Sequence, residues 1–171
     1  MKKVCANCNI DVSSNGGDCV PLFLVTDGIC SSCMQKLFDH PGVHQKAFLD
    51  RFDSPILLLQ PEPRRVRTAN KSASTLFGKD LSRIEGYRGG EVFDCEYAFT
   101  EAGCGMDVHC QDCIIRNSIV ETFKTGTSFN GISTFLNIKK NDEIKPYSIA
   151  ISTEKVGPLA LVRIDRFEKR E

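Results

Sequence analysis

Residues 67–95 read RTANKSASTLFGKDLSRIEGYRGGEVFDC. Asn70 is a helix-capping residue type, and Ala73, Leu76 and Phe77 follow on one side of a turn, with Gly78 as the stop. Asp80 opens a second short helix that reaches about Glu85. Gly86, Gly89 and Gly90 then punctuate the chain, and Glu91-Val92-Phe93-Asp94 makes a helical turn that delivers Cys95. The stretch is a chain of brief helices broken by glycine.

Strand signals flank it on both sides. Upstream, Ile56-Leu57-Leu58-Leu59 is too short for a buried helix and reads as a central strand, Gln60-Pro61-Glu62-Pro63 as a turn, and Arg65 to Ala69 as the returning strand. Downstream, Ile114 to Thr125 reads as a longer helix with Ile115, Ile119, Thr122 and Phe123 on one face and Gly126 at its end. Three alternating runs follow, with Ile132, Leu136 and Ile138 in the first, Tyr147, Ile149 and Ile151 in the second, and Ala160, Val162 and Ile164 in the third. A turn at Lys140-Asn141-Asp142 joins the first two, and one around Gly157-Pro158 joins the last two. The expected class is α+β: a five-stranded antiparallel sheet with helices on one face.

Between the brief helices and the long one lies CEYAFTEAGCGMDVHCQDC, residues 95–113. Its Cys95, Cys104, Cys110 and Cys113 are spaced C-x8-C-x5-C-x2-C around Gly103 and Gly105. Thiolates are soft ligands suited to zinc, Cu(I) and iron–sulfur clusters. The C-x2-C pair lets two of them reach one centre from a single turn, and glycine lets the backbone wrap closely by adopting φ > 0. Both a 4Fe–4S cluster and a second zinc satisfy four thiolates. The spacings of 8 and 5 suit a wrapped cluster better than the paired knuckles usual for zinc. Two disulfides or free thiols are the non-metal alternative. His109, next to Cys110, is a minor candidate as a replacement ligand or a tuning neighbour.

Residues 1–38 form a separate expected unit. Cys5-x2-Cys8 and Cys30-x2-Cys33 are the paired knuckles of a tetrahedral zinc site, closing a small hairpin that the metal would help to fold. The unit resembles a zinc ribbon. Cys19 is left as a small buried apolar residue. Residues 39–53 read as a linker helix with Val43, Ala47, Phe48 and Phe52 on its apolar side. Pro41-Gly42 separates His40 from His44, which argues against a metal pair there.

The order of elements from about residue 45 to 167, with Asn70, Leu76-Phe77-Gly78, Gly86 and Gly90-Glu91-Val92-Phe93, resembles a PAS sensor domain. The cysteine stretch sits where such a domain leads into its long helix. A subset of bacterial PAS-like sensors is similar there, with the same four-cysteine spacing and the C-x-x-C-I-I-R-N-S-I run. The resemblance implies a PAS-like domain over residues 54–167 and a role in sensing.

Composition narrows the function. With 22 Lys+Arg against 22 Asp+Glu there is no global field to draw nucleic acid or an anionic membrane surface. No apolar run suits a membrane span, and the N-terminus does not read as a secretory signal, so a cytoplasmic protein is expected, where disulfides are disfavoured. Arg64-Arg65-x-Arg67 reads as a solvated face. C-type haem attachment lacks its histidine, since Asn9, Met34 and Ile114 follow the C-x2-C pairs, and the light-sensing PAS cysteine motif for flavin is missing. No G-x-S-x-G, P-loop or dinucleotide motif is found, so no enzyme is expected. The chain ends at Phe167–Glu171 without a kinase or cyclase region, so signalling through a protein partner such as a kinase or regulator, or through a homodimer, is expected. Three readings remain. The first is a sensor of redox state or oxygen through an iron–sulfur cluster. The second is a protein-interaction adaptor with two structural zinc sites, and the third a sensor with a small organic ligand in its interior.

Overall fold

A computed structural model describes residue 39 and residues 43–62 and 64–171. The expected zinc ligands Cys5, Cys8, Cys30 and Cys33, together with Cys19 and His40, lie outside the described residues.

The elements are α1 (Val43–Leu49), β1 (Ile56–Gln60), β2 (Arg65–Ala69), α2 (Lys71–Phe77), α3 (Gly89–Phe93), α4 (Ile114–Thr125), β3 (Phe129–Lys140), β4 (Glu143–Val156) and β5 (Leu159–Lys169). Short 3-10 turns at Leu81–Arg83, Glu96–Phe99 and Val108–Asp112 fill the connections. All five strands form one sheet in the order β2-β1-β5-β4-β3, each pair antiparallel. The β3–β4 hairpin turns on Asn141 and Asp142, both at positive φ (50° and 62°), the geometry that matches the right-handed twist of paired strands.

One face of the sheet carries the helices. Ala73 and Phe77 of α2, Val92 and Phe93 of α3, and Ile115 and Ile119 of α4 bury against Leu57, Leu59, Ile149, Ile151, Val162 and Ile164. Phe77, Phe93 and Phe167 meet edge-on and tilted, with centroids 5.0–5.8 Å apart. Such pairs add about 0.5–1.5 kcal/mol each beyond the burial of their area. Leu58 and Leu161 point the other way, by strand alternation, and are buried as well, so the sheet centre is covered on both faces.

Local chemistry ends the helices where the residue types require. Asn70 Oδ1 accepts from the Ala73 amide at 3.0 Å, and Gly78 closes α2 in the left-handed conformation (φ 62°). Gly126 does the same for α4 at φ 76°.

Three sequence expectations change. The linker helix buries Gln45, Phe48 and Leu49 and leaves Ala47 exposed, because the i, i+3, i+4 stripe includes a polar residue that an apolar count passes over. The expected second helix after Asp80 is one 3-10 turn, Leu81–Arg83. The expected alternation along β4 is lost from Ile149 to Glu154, where consecutive residues are all buried because the sheet centre is covered on both faces.

Candidate metal centre

The four cysteines are set by elements on both sides of the sheet edge. Asp94, at φ 60°, ends α3 and turns the chain into Cys95, whose amide donates to Gly90 O at 2.8 Å. Cys95 pairs with Ile138 of edge strand β3, and the Lys139 amide donates to Asp94 O at 2.8 Å. Lys79, 8% exposed, holds this corner, with its Nζ donating to Asp94 Oδ1 (2.7 Å), Glu91 O (2.7 Å) and Val92 O (3.0 Å). At the far end, Cys113 is the N-cap of α4. The cysteine loop therefore runs from the edge strand to the start of the long helix.

Glycines bring main chain against sulfur. The Gly90 amide donates to Cys104 Sγ at 3.2 Å, the Gly105 amide to Cys110 Sγ at 3.2 Å, and the Arg116 amide to Cys113 Sγ at 3.5 Å. Three of the four sulfurs, those of Cys104, Cys110 and Cys113, thus accept a backbone N–H. Gly90 has to be glycine, because a Cβ there would stand 2.5 Å from Cys104 Sγ. Gly103 and Gly105 are at φ 78° and 83°, the wrapping conformation read from sequence.

All four cysteines line one cavity of about 340 Å³, whose inner wall is Leu57, Leu59, Phe93, Ile115 and Val162. Burial pushes the Cys95 thiol up to about 11, with the Tyr97 amide opposing and the other three sulfurs adding to the rise. Burial raises Cys104 too, against the Gly90 amide. A bound cation inverts this logic and deprotonates coordinating thiols outright. Among the described residues, no three His, Cys, Asp or Glu side chains are gathered tightly enough to clasp a single ion.

His109 lines the same cavity. Its Nδ1 lies 2.8 Å from Asp107 Oδ1, and its ring stacks on Tyr97 at 4.2 Å. Sequence reasoning missed Lys79 and Arg88, whose Nη1 donates to Cys104 O at 2.7 Å. It also placed Arg64 on a solvated face, whereas Arg64 lines the cavity. Only its separation from the cysteines along the chain hid it. Among the described residues, no helix is long and apolar enough to cross a membrane.

No protein-family model and no curated protein matches the chain. Solved structures do. The Rhodobacter sphaeroides LOV protein aligns over 77% of this chain and 67% of its own, at 16% identity and a TM-score of 0.52. The PAS domain of nitrogen regulation protein NR(II) from Vibrio parahaemolyticus covers 74% of this chain and 99% of its own, at 14% identity and a TM-score of 0.44. The photoactive yellow protein domain of the sensor histidine kinase Ppr from Rhodospirillum centenum covers 77% and 97%, at 11% and 0.43. Identities this low speak to fold alone. The five-stranded antiparallel sheet with its helical face is PAS-like.

Proposed function

We propose that this chain is a non-enzymatic sensory module that senses redox state or oxygen through an iron–sulfur cluster and signals to a partner protein. Cys95, Cys104, Cys110 and Cys113 would hold the cluster, which supplies a one-electron couple when bound. The observation that carries the reading is that four cysteines line one cavity, three of their sulfurs accepting a backbone N–H. Hydrogen bonds to sulfur are a main lever on cluster stability and potential. A single zinc draws its thiolates to about 2.3 Å, whereas a cluster spreads its four ligands over four irons. The C-x8-C-x5-C-x2-C spacing supports the cluster.

The loop's two ends give the centre a short reach into the fold. Cys95 is bridged to β3, and Cys113 caps α4. A change of state at the centre would pull on both, altering the surface offered to a kinase, a regulator or a second copy. The PAS-like fold supports sensing by association. Cys5, Cys8, Cys30 and Cys33 would hold a structural zinc in a ribbon-like module over residues 1–38.

The test is anaerobic purification of the full chain, followed by iron, sulfide and zinc analysis and a visible spectrum. About four irons with labile sulfide, about one zinc and broad brown absorption are expected. About two zincs with no iron and no colour would overturn the sensor reading and leave a protein-interaction adaptor built on two structural zinc sites.

A further inference from the structure

We infer that Arg64 and Arg88 are charge-compensating residues of the cysteine site and set its reduction potential; the inference rests on the cluster reading above. The chain as a whole has no net charge. The cavity does. Among the described residues, Arg64, Arg88 and Arg116 line it against a single carboxylate, Asp112, and most of the remaining wall is apolar. A cluster held by four thiolates is anionic, so the wall and the occupant are complementary in sign.

Two of the arginines meet at one point of the loop. A Cβ placed on Gly105 would stand 2.9 Å from Arg88 Nη1 and 3.7 Å from Arg64 Nη2. Gly105 is also the residue whose amide donates to Cys110 Sγ. Arg88 is fixed there by its 2.7 Å bond to Cys104 O. Arg64 has one carboxylate contact, Glu62 at 3.3 Å on the exposed side. Arg116 gives its amide to Cys113 Sγ, and its Nε is buried with no hydrogen-bond partner. Positive charges on a largely apolar wall favour an anionic occupant of the cavity.

The redox consequence follows from charge. One electron passes from the reductant to the cluster, no bond forms or breaks, and the site becomes more negative. Guanidinium groups beside it stabilise the reduced form and raise the potential. Arg64 and Arg88 act through the cluster's electrostatic environment; they are positioning and tuning residues, not ligands.

The experiment is an anaerobic, mediated dithionite titration of the visible absorption of the full chain, with iron content measured alongside. Arg64→Gln and Arg88→Gln are compared with Arg88→Lys and with the control Arg65→Gln, whose guanidinium donates to Gly86 O. The expected result is unchanged iron and, for each Gln variant, roughly a tenfold smaller reduced-to-oxidised ratio at fixed poise, about 59 mV for a one-electron couple. Arg88→Lys and Arg65→Gln should stay near wild type. If the Arg88 variants lose iron, Arg64→Gln decides, since its guanidinium bonds to no main-chain atom near the site. Wild-type potentials in iron-replete Gln variants would overturn this inference and leave the sensor reading intact. A wild-type chain with zinc and no iron would overturn both.

Discussion

Asn70 joins three segments with one side chain. It is fully buried; its Oδ1 accepts from the Ala73 and Ile56 amides, and its Nδ2 donates to Leu49 O, Phe52 O and Ser54 O. Asn70→Ala removes a helix cap and strands several buried groups at once, each unsatisfied group costing about 1–3 kcal/mol. A loss of roughly 3 kcal/mol is expected in urea unfolding of the purified chain. A loss under about 1 kcal/mol would show that water or neighbours replace these bonds. The sequence reveals the cap, since Asn70 precedes its own helix. It cannot reveal the hub, because the carbonyls that Nδ2 serves lie 16 to 21 residues upstream. Gly90 follows the same pattern. Its glycine is visible, but the sulfur it must admit is 14 residues away. Gly90→Ala should push Cys104 out of place and cut the iron content sharply while leaving the far-ultraviolet circular dichroism unchanged. Full iron in that variant would refute the close approach as a requirement.

Among the elements, α4 was the most legible. Its first residue, its last residue and its buried Ile115, Ile119 and Thr122 all follow from period and capping chemistry. Helix α1 was less so, because its docking depends on contacts that no local pattern encodes. Asp50, just past α1, accepts from the Lys71 amide at 2.7 Å and pairs with Lys46 at 2.6 Å, tying α1 to the first turn of α2. Burial raises this carboxyl, but Lys46 and the Lys71 amide outweigh it and hold the group below its ordinary range. A carboxyl lowered by folding contributes stability above its unfolded pKa and loses it as pH falls through the folded one. Acidification below the usual carboxylate range should therefore loosen the α1 tether. Asp50→Asn should lower stability at neutral pH and flatten that part of the pH profile, as read by urea midpoints at a series of pH values. A variant profile parallel to wild type would assign the acid sensitivity elsewhere.

At the scale of the whole molecule, the decisive question is whether the cysteine cavity belongs to the PAS-like unit alone. Among the described residues, the buried ones that pack around it run from Leu57 to Ile164, and every cavity-lining one falls between Leu57 and Val162. The five strands and the helical face were legible because each strand alternates or is short and apolar between turn residues; the order β2-β1-β5-β4-β3 was not, because alternation does not say which strands pair. The cavity itself was not, because it is made where residues near 60, 90, 105, 115 and 162 converge. Folding free energy for such a core comes from burying side chains worth about 1.5–3 kcal/mol each, and among the described residues that core spans residues 57–164. A chain that starts at residue 43 keeps α1, with Phe48 and Leu49 buried, and keeps the Asn70 contacts to Leu49, Phe52 and Ser54. It should fold cooperatively and retain the iron of the full chain, while zinc falls by about one equivalent, the content of one tetrahedral site. Iron lost together with zinc would mean that the N-terminal cysteines take part in holding the cluster. In that case the proposed division into a zinc module over 1–38, a linker over 39–53 and a PAS-like domain over 54–167 would have to be redrawn as a single metal-dependent unit.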